Sequence, residues 1–319
     1  MKKKLFIVCA ALVWTAALMA QQIAVVTGST TKMCQTLQDA IDKASNGSVI
    51  YLPGGGFQIS DDVKIIKRVS IIGIGHKAVS ENADGNTVIS GNLYFNEGSD
   101  GSAVMGCYIS GDVKIGYDEK SVNNILVKLC NLNSVQVKSN KCSGTIVNQN
   151  YIRNNSSFNA APAEFTNNVA HSINQLFGGT INNNIIKGSS FIIYDCDNST
   201  ISNNVFLSRG TYGPLYLCSN YLASENMTNN GSCGDDPIYL EGVNWNDVFV
   251  NYNNGAISPA SDFHFKGEYT QYSDCGIYGG SSFDPQAMPP VPYIVSKNIA
   301  SQTDSSGMLS VKVRVKAGE

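Results

Sequence analysis

Between residues 104 and 228 the apolar positions recur with a period near twenty, far from helical spacing or simple strand alternation. The clearest instance is Ile181-Asn182-Asn183-Asn184-Ile185-Ile186, followed twenty residues on by Ile201-Ser202-Asn203-Asn204-Val205-Phe206. A phrase of six residues cannot bury its own apolar side chains. Its recurrence therefore predicts coils stacked on one another, each hydrogen-bonded to the next about 4.8 Å away. Extending the phrase in both directions places coil starts at Val104, Val127, Val147, Phe165, Ile181, Ile201 and Ala223. The fourth position then reads Cys107, Cys130, Asn150, Asn168, Asn184, Asn204, Asn226, and identical amides one coil apart can pair along the axis. The sixth reads Ile109, Leu132, Ile152, Ala170, Ile186, Phe206, Thr228, an apolar column save for its last member. Five residues before each start after the first stand Val122, Cys142, Ala160, Leu176, Cys196 and Cys218. A second strand per coil is predicted at 112–115, 134–137, 172–177, 190–195, 214–217 and 237–240. The sequence does not clearly trace a third.

The flanks carry other patterns. Leu37, Ala40, Ile41 and Ala44 occupy one face of a short amphipathic helix that Asn46-Gly47 stops, and two β-branched strands follow at 49–59 and 69–75. After Pro285, Pro289, Pro290 and Pro292, which suggest an extended linker, residues 309–316 alternate strictly between apolar and other side chains. That predicts a half-buried strand, in a hairpin with 293–300 that covers the last coil. A sorting or attachment tail is the rival reading. At the other terminus Lys2, Lys3 and Lys4 precede an apolar run from Leu5 to Leu18 and a small Ala20, the form of a secretory signal over 1–20.

Composition narrows the function classes. The chain has 319 residues, 43% of them hydrophobic and only 15% charged, so disorder is not expected. Lys and Arg number 22 against 25 Asp and Glu, with no concentrated basic face to suggest nucleic acid. The expectation is an exported protein, periplasmic, cell-surface or extracellular, with no membrane span once the signal is removed, and a monomer.

The opening segment is more specific. A helix, a glycine turn, Ile50-Tyr51-Leu52-Pro53 with Gly55 and Phe57, and then Ser70-Ile71-Ile72-Gly73 with Gly75 resemble the start of pectate-lyase-like right-handed β-helix proteins. Residues 261–280 resemble the closing segment of secreted bacterial β-helix proteins, although Tyr272-Ser273 and Cys275 depart from its usual wording. The resemblance implies an all-β, single-stranded right-handed parallel β-helix over 21–284. A helix plugs its first coil, and a linker with a strand cap follows over 285–319. His76 then falls in a surface turn and His264 in final-coil packing.

Candidate chemistry is sparse. Eight cysteines remain after the signal, and the register offers Cys107 with Cys130 and Cys196 with Cys218 as disulfides or as stacked thiols. No spacing suggests zinc, no cofactor is evident, and Ca2+ has no specific motif. The seventh position of consecutive coils reads Arg153, His171, Lys187, with Arg209 two residues beyond the column in the next coil. Such a row could bind an anionic polysaccharide, or stabilise the enolate that a uronate-cleaving lyase must form. Its bland reading is a wet, basic surface. Asp195 with Asp197, and Asp235-Asp236, are candidate carboxylate pairs for glycoside hydrolysis or for Ca2+. The wider set of motifs found in polygalacturonases is not reproduced. Tyr194, Tyr216, Tyr239, Trp245 and Tyr252 could stack on sugars or pack the coil edges. The resulting expectation is a carbohydrate-directed exported protein, binding and in the further case cleaving polysaccharide. A non-catalytic structural or adhesive surface protein is the alternative.

Overall fold

A computed structural model describes residues 22–316 apart from 62, 78–84, 209, 232, 253–256, 281–282, 286–287 and 304. The proposed signal and Arg209 lie outside the described residues. The chain winds into a right-handed parallel β-helix in which the same side chains recur above one another. On face 1, Ile50, Ile71, Val104, Val127, Val147, Phe165, Ile181, Ile201 and Ala223 pair in succession through nine coils. Every predicted coil start is therefore in register.

Each coil has three faces. Face 2 stacks short strands from Gly55–Gln58 to Ile238–Tyr239, and face 3 runs from Lys64–Ile65 to Leu215–Tyr216. Face 3 is the second strand per coil that the sequence predicts at 112–115, 134–137, 172–177, 190–195 and 214–217. The strand the sequence leaves untraced is that of face 2, only two residues long in most coils. In two coils faces 2 and 3 merge into the long strands Tyr151–Ala161 and Val169–Leu176. Two sequence expectations change here. Ala161 rather than Ala160 faces inward opposite Leu176, because two irregularities displace the strand after Ile152. Residues 237–240 stack on face 2, with Ile238 beside Met227, and do not continue the face-3 file of 214–217.

The asparagines divide labour by position. The fourth-position amides form an unbroken inner file from Asn150 to Asn226. Each Nδ2 donates to the next Oδ1 at 2.9–3.1 Å, and each of those oxygens also accepts a backbone N–H. The third position of the same phrase turns the corner between faces 1 and 2. Gly106, Leu129, Gln149, Asn167, Asn183, Asn203 and Glu225 all have φ between 53° and 66°. Asparagine tolerates that left-handed backbone better than most residues, which accounts for its recurrence beside the inner amide.

The ends and the outside differ from expectation. Helix α1, Leu37–Lys43, buries Leu37, Ala40 and Ile41 as predicted and is capped by the Thr36 hydroxyl, which accepts from the Asp39 N–H at 3.1 Å. Before it lies an antiparallel hairpin, Ile23–Thr27 with Thr30–Cys34, that extends face 1. Its second strand is exposed at four of five positions and so has no apolar signature. The fifth phrase position, Tyr151, Val169, Ile185, Val205 and Met227, points outward and is nonetheless buried. Residues 245–283 cover it, with Trp245, Phe249, Phe263, Ile277 and Phe283 forming a second apolar cluster outside the coils.

This sheath continues as a strap running back along the solenoid. Gly276 N–H donates to Asn203 O at 2.8 Å, and Asn167 Nδ2 donates to Ile277 O and Gly279 O at 3.0 and 2.8 Å. Gly106 admits the buried Pro289, because a Cβ there would strike the proline ring. Val291, Pro292, Tyr293 and Ile294 then line a groove with Leu52, Ile72 and Ile74 of the first coils. Pro289 is thus packed against the coils, while Pro285, Pro290 and Pro292 are exposed. The expected hairpin exists, Tyr293–Ile299 with Val311–Lys316, but it roots beside the first coils and not over the last. Val311–Lys316 is exposed at every position rather than half-buried.

His76 also departs from expectation. It lies beneath the sheath, 4% exposed, edge-on to Tyr151 at 5.4 Å, and neither ring nitrogen has a hydrogen-bond partner. Burial pushes its pKa down to about 4. The folded state therefore holds a neutral ring that the unfolded chain protonates below about pH 6.5, so stability falls as pH drops from there and levels off below about 4. The full effect is about 3 kcal/mol. His76→Leu is expected to flatten that part of the stability curve, measured by urea unfolding between pH 7 and 4. A wild-type slope in the variant would remove His76 from the account.

Candidate ligand-binding face

Face 3 carries one continuous outward file. Lys64, Tyr94, Lys114, Gln136, Ser157, Asn174, Tyr194 and Tyr216 are paired neighbour to neighbour across eight coils. Seven strand spacings make it roughly 34 Å long. Strand alternation fixes its direction: the flanking residues Val113, Ile115, Val135, Val137, Ile173 and Ile193 point into the core and are buried.

The file has three zones. At one end Lys64 Nζ sits 3.5 Å from the centre of the Tyr94 ring and 4.8 Å from that of Tyr117, while Lys114 Nζ donates to the Tyr94 hydroxyl at 3.1 Å. Beside it Asp112 Oδ1 accepts from Asn133 Nδ2 and Ser134 Oγ. The middle is built of amides and hydroxyls. Gln136 Nε2 donates to Ser134 Oγ and Asn155 O at 2.9 Å, and Gln175 Nε2 donates to Asp195 Oδ2 at 3.3 Å. At the far end four rings stack. Phe191 and Tyr212 are 5.2 Å apart and 13° from parallel, Tyr212 and Tyr216 are 4.6 Å apart, and Tyr194 and Tyr216 are 5.9 Å apart at 21°. Tyr212 is 54% exposed, so the platform reaches solvent. A flat strip with polar donors between aromatic faces can hold an extended chain of polar rings by stacking and hydrogen bonds together.

The expected basic row lies at the corner leading from face 2 into face 3. Arg153 does not project as a free cation. Its Nη1 donates to Asn131 Oδ1 at 2.5 Å, its Nη2 to Ile109 O and Ser110 O at 2.9 and 3.2 Å, and the guanidinium covers the Tyr108 ring. A bulge after Ile152 also breaks its register with His171. His171 Nδ1 is buried without a partner, and burial, with Lys187 as the lesser cause, lowers its pKa. Arg153 and His171 therefore do not form a stacked pair of exposed cations.

The other candidates resolve structurally. All eight described cysteines are free thiols. Cys130 Sγ donates to Val104 O and Lys128 O, the same two carbonyl positions that Asn150 Nδ2 takes one coil on at Val127 O and Asn148 O. Cys196 and Cys218 repeat this at the far corner of face 3, bonding Ile173 O with Tyr194 O and Ile193 O with Tyr216 O. Thiols stand where a compact corner donor fits. His264 stacks on Tyr278, with ring centres 3.6 Å apart and its Nδ1 2.6 Å from Asp262 Oδ1. No group of three or more His, Cys, Asp or Glu residues able to hold a metal occurs among the described residues. No described helix is long and apolar enough to cross a membrane.

Sequence reasoning named Tyr194 and Tyr216 but missed the file joining them to Lys64, Tyr94 and Lys114. The signal that could have found it is the residue between inward neighbours in each face-3 strand, five of which the sequence places. Comparison with known proteins returned no matching family model, curated protein or solved structure.

Proposed function

We propose that this is an exported carbohydrate-directed protein that binds an extended polysaccharide along face 3. The observation that carries the reading is the Lys64-to-Tyr216 file, a straight strip of polar and aromatic side chains running parallel to the solenoid axis. Sugar rings would stack on Tyr194, Tyr212 and Tyr216, hydroxyls would meet Gln136, Ser157 and Asn174, and Lys64 and Lys114 would favour a carboxylate-bearing chain at the other end. The resemblance of the opening segment to pectate-lyase-like proteins supports the same ligand class. Binding is the reading proposed, with cleavage the further case.

The test is titration of neutral and uronate-rich polysaccharides with the mature chain, followed by isothermal calorimetry. Tyr194→Ala with Tyr216→Ala is expected to weaken binding at least about tenfold, as loss of central aromatic contacts does. Lys114→Gln should weaken only the anionic ligands. Undiminished binding by the double tyrosine variant would remove face 3 as the site. Loss with Arg153→Ala alone would return the site to the face 2–3 corner. The alternative, a non-catalytic adhesive or structural surface protein, is favoured if no polysaccharide binds.

A further inference from the structure

The two ends of this rod are unlike, and each has something unsatisfied. At one end, rooted against the first coils, is the hairpin of Tyr293–Ile299 and Val311–Lys316, a two-stranded sheet with no third strand among the described residues. One side of it presents Ile299, Val311, Val313 and Val315, each more than half exposed. Two strands with a bare apolar row are marginal alone in water, and such a row marks a surface of association. Its other side presents Lys312, Arg314 and Lys316. With Lys297 the two strands carry four basic residues and no acidic one.

At the opposite end the core is open on the face-3 side, while Cys233, Gly234 and Asp235 close over Ala223 on face 1. Leu215 and Cys218 are only half-buried, whereas Ile193 and Cys196, their neighbours one coil earlier, are fully buried. Tyr221 beside them is half-buried as well. Leu222–Ser224 is the last strand of face 1 and Leu215–Tyr216 the last of face 3. This end is also acidic. Residues 222–241 hold four Asp and Glu and no Lys or Arg, and all four, Glu225, Asp235, Asp236 and Glu241, are exposed around the final coil.

We infer that the basic, valine-faced hairpin of one copy seats on the open, acidic last coil of a second copy, so that the protein associates head to tail. A hairpin-to-hairpin contact would oppose like charges, whereas the apolar side of the hairpin, which carries Lys297 opposite Val313, matches the half-buried Leu215 and Tyr221. Lys312, Arg314 and Lys316 on its other side act on the acidic last coil through the longer-range field that salt screens. The contact joins different surfaces at opposite ends, so it does not close on itself and builds linear arrays. The single copy expected from the sequence is then the dilute, high-salt limit.

The experiment is sedimentation velocity with light scattering on the mature full chain. Protein is varied from about 1 to 100 µM, in salt of about 50 mM and about 500 mM, which span strong and weak screening. At low salt the weight-average mass is expected to pass twice that of one copy as concentration rises, and at high salt to fall back toward one. Lys312→Glu with Arg314→Glu and Lys316→Glu, and separately Asp235→Lys with Asp236→Lys and Glu241→Lys, change exposed positions and should each leave circular dichroism unchanged and the chain single. Mixed in equal amounts, the two variants should associate again, because each end of one now complements the opposite end of the other. A single copy under all conditions, association retained by either variant alone, or a mixture that stays single would each overturn the inference.

Discussion

Replacing Asn184 by leucine is expected to destabilise the solenoid by at least about 4 kcal/mol, the largest single-site effect in the coil interior. The amide is fully buried and makes five hydrogen bonds. Its Nδ2 donates to Phe165 O at 2.8 Å, to Asn182 O at 3.0 Å and to Asn204 Oδ1 at 2.9 Å. Its Oδ1 accepts from the Asn168 backbone N–H at 2.8 Å and from Asn168 Nδ2 at 3.1 Å. Leucine nearly matches the volume and replaces none of these bonds, so the Asn168 N–H and the Asn168 and Asn204 side-chain amides lose a partner in an apolar interior, while Asn182 O keeps the Asn167 N–H. Each stranded group costs about 1–3 kcal/mol. Asn184→Cys should be milder, because Cys130 already shows a thiol bonding the equivalent carbonyls. Urea unfolding followed by far-ultraviolet circular dichroism measures both. A leucine variant within about 1 kcal/mol of wild type would show that the file does not hold the coils together.

Trp245→Ala is expected to act outside the coils with comparable size, about 3–5 kcal/mol. Trp245 is 4% exposed, stacks on Phe249 at 5.7 Å, and its Nε1 donates to Leu207 O at 3.0 Å. Removing it opens the sheath over Val205, Leu207 and Met227, apolar residues on the outer side of the solenoid. The interior file and the face-1 ladder do not touch this cluster. The variant should therefore keep its far-ultraviolet spectrum at moderate temperature while binding a hydrophobic dye strongly and aggregating on heating. Loss of the β spectrum at 25 °C would instead mean that coils and sheath fold as one unit.

The coil register was legible because burial and periodicity act on the same residues. Ile181 and Ile201 must face inward in every coil, and a one-residue slip would turn them out, so their spacing records the stacking directly. The helix was legible for a similar reason, since Leu37, Ala40 and Ile41 share one face and Thr36 caps it. Face 2 was not traced as a strand, because pieces such as Ile185–Ile186 are too short for alternation to be read. Face 3, which carries the candidate site, was placed in five of its coils, but its outward file was not followed from strand to strand. Tyr194 stood out as an aromatic, but its alignment with Asn174, Ser157 and Gln136 is a fact of cross-strand pairing. Arg153 stood out by its column, but that its guanidinium lies on Asn131 and Tyr108, and that a bulge after Ile152 breaks its register with His171, is invisible in the spacing.

The sequence by itself determined that the chain winds into stacked coils, where face 1 begins in each, and which amides lie in file inside. Those features repeat with the chain, and a repeated local burial pattern has one economical solution. Only the tertiary structure decided that the outer row from Tyr151 to Met227 is dry, that His76 is buried, and that the final hairpin lies beside the first coils. These depend on residues 245–294 returning over coils laid down 38 or more residues earlier, and contacts at that separation leave no periodic trace in the sequence.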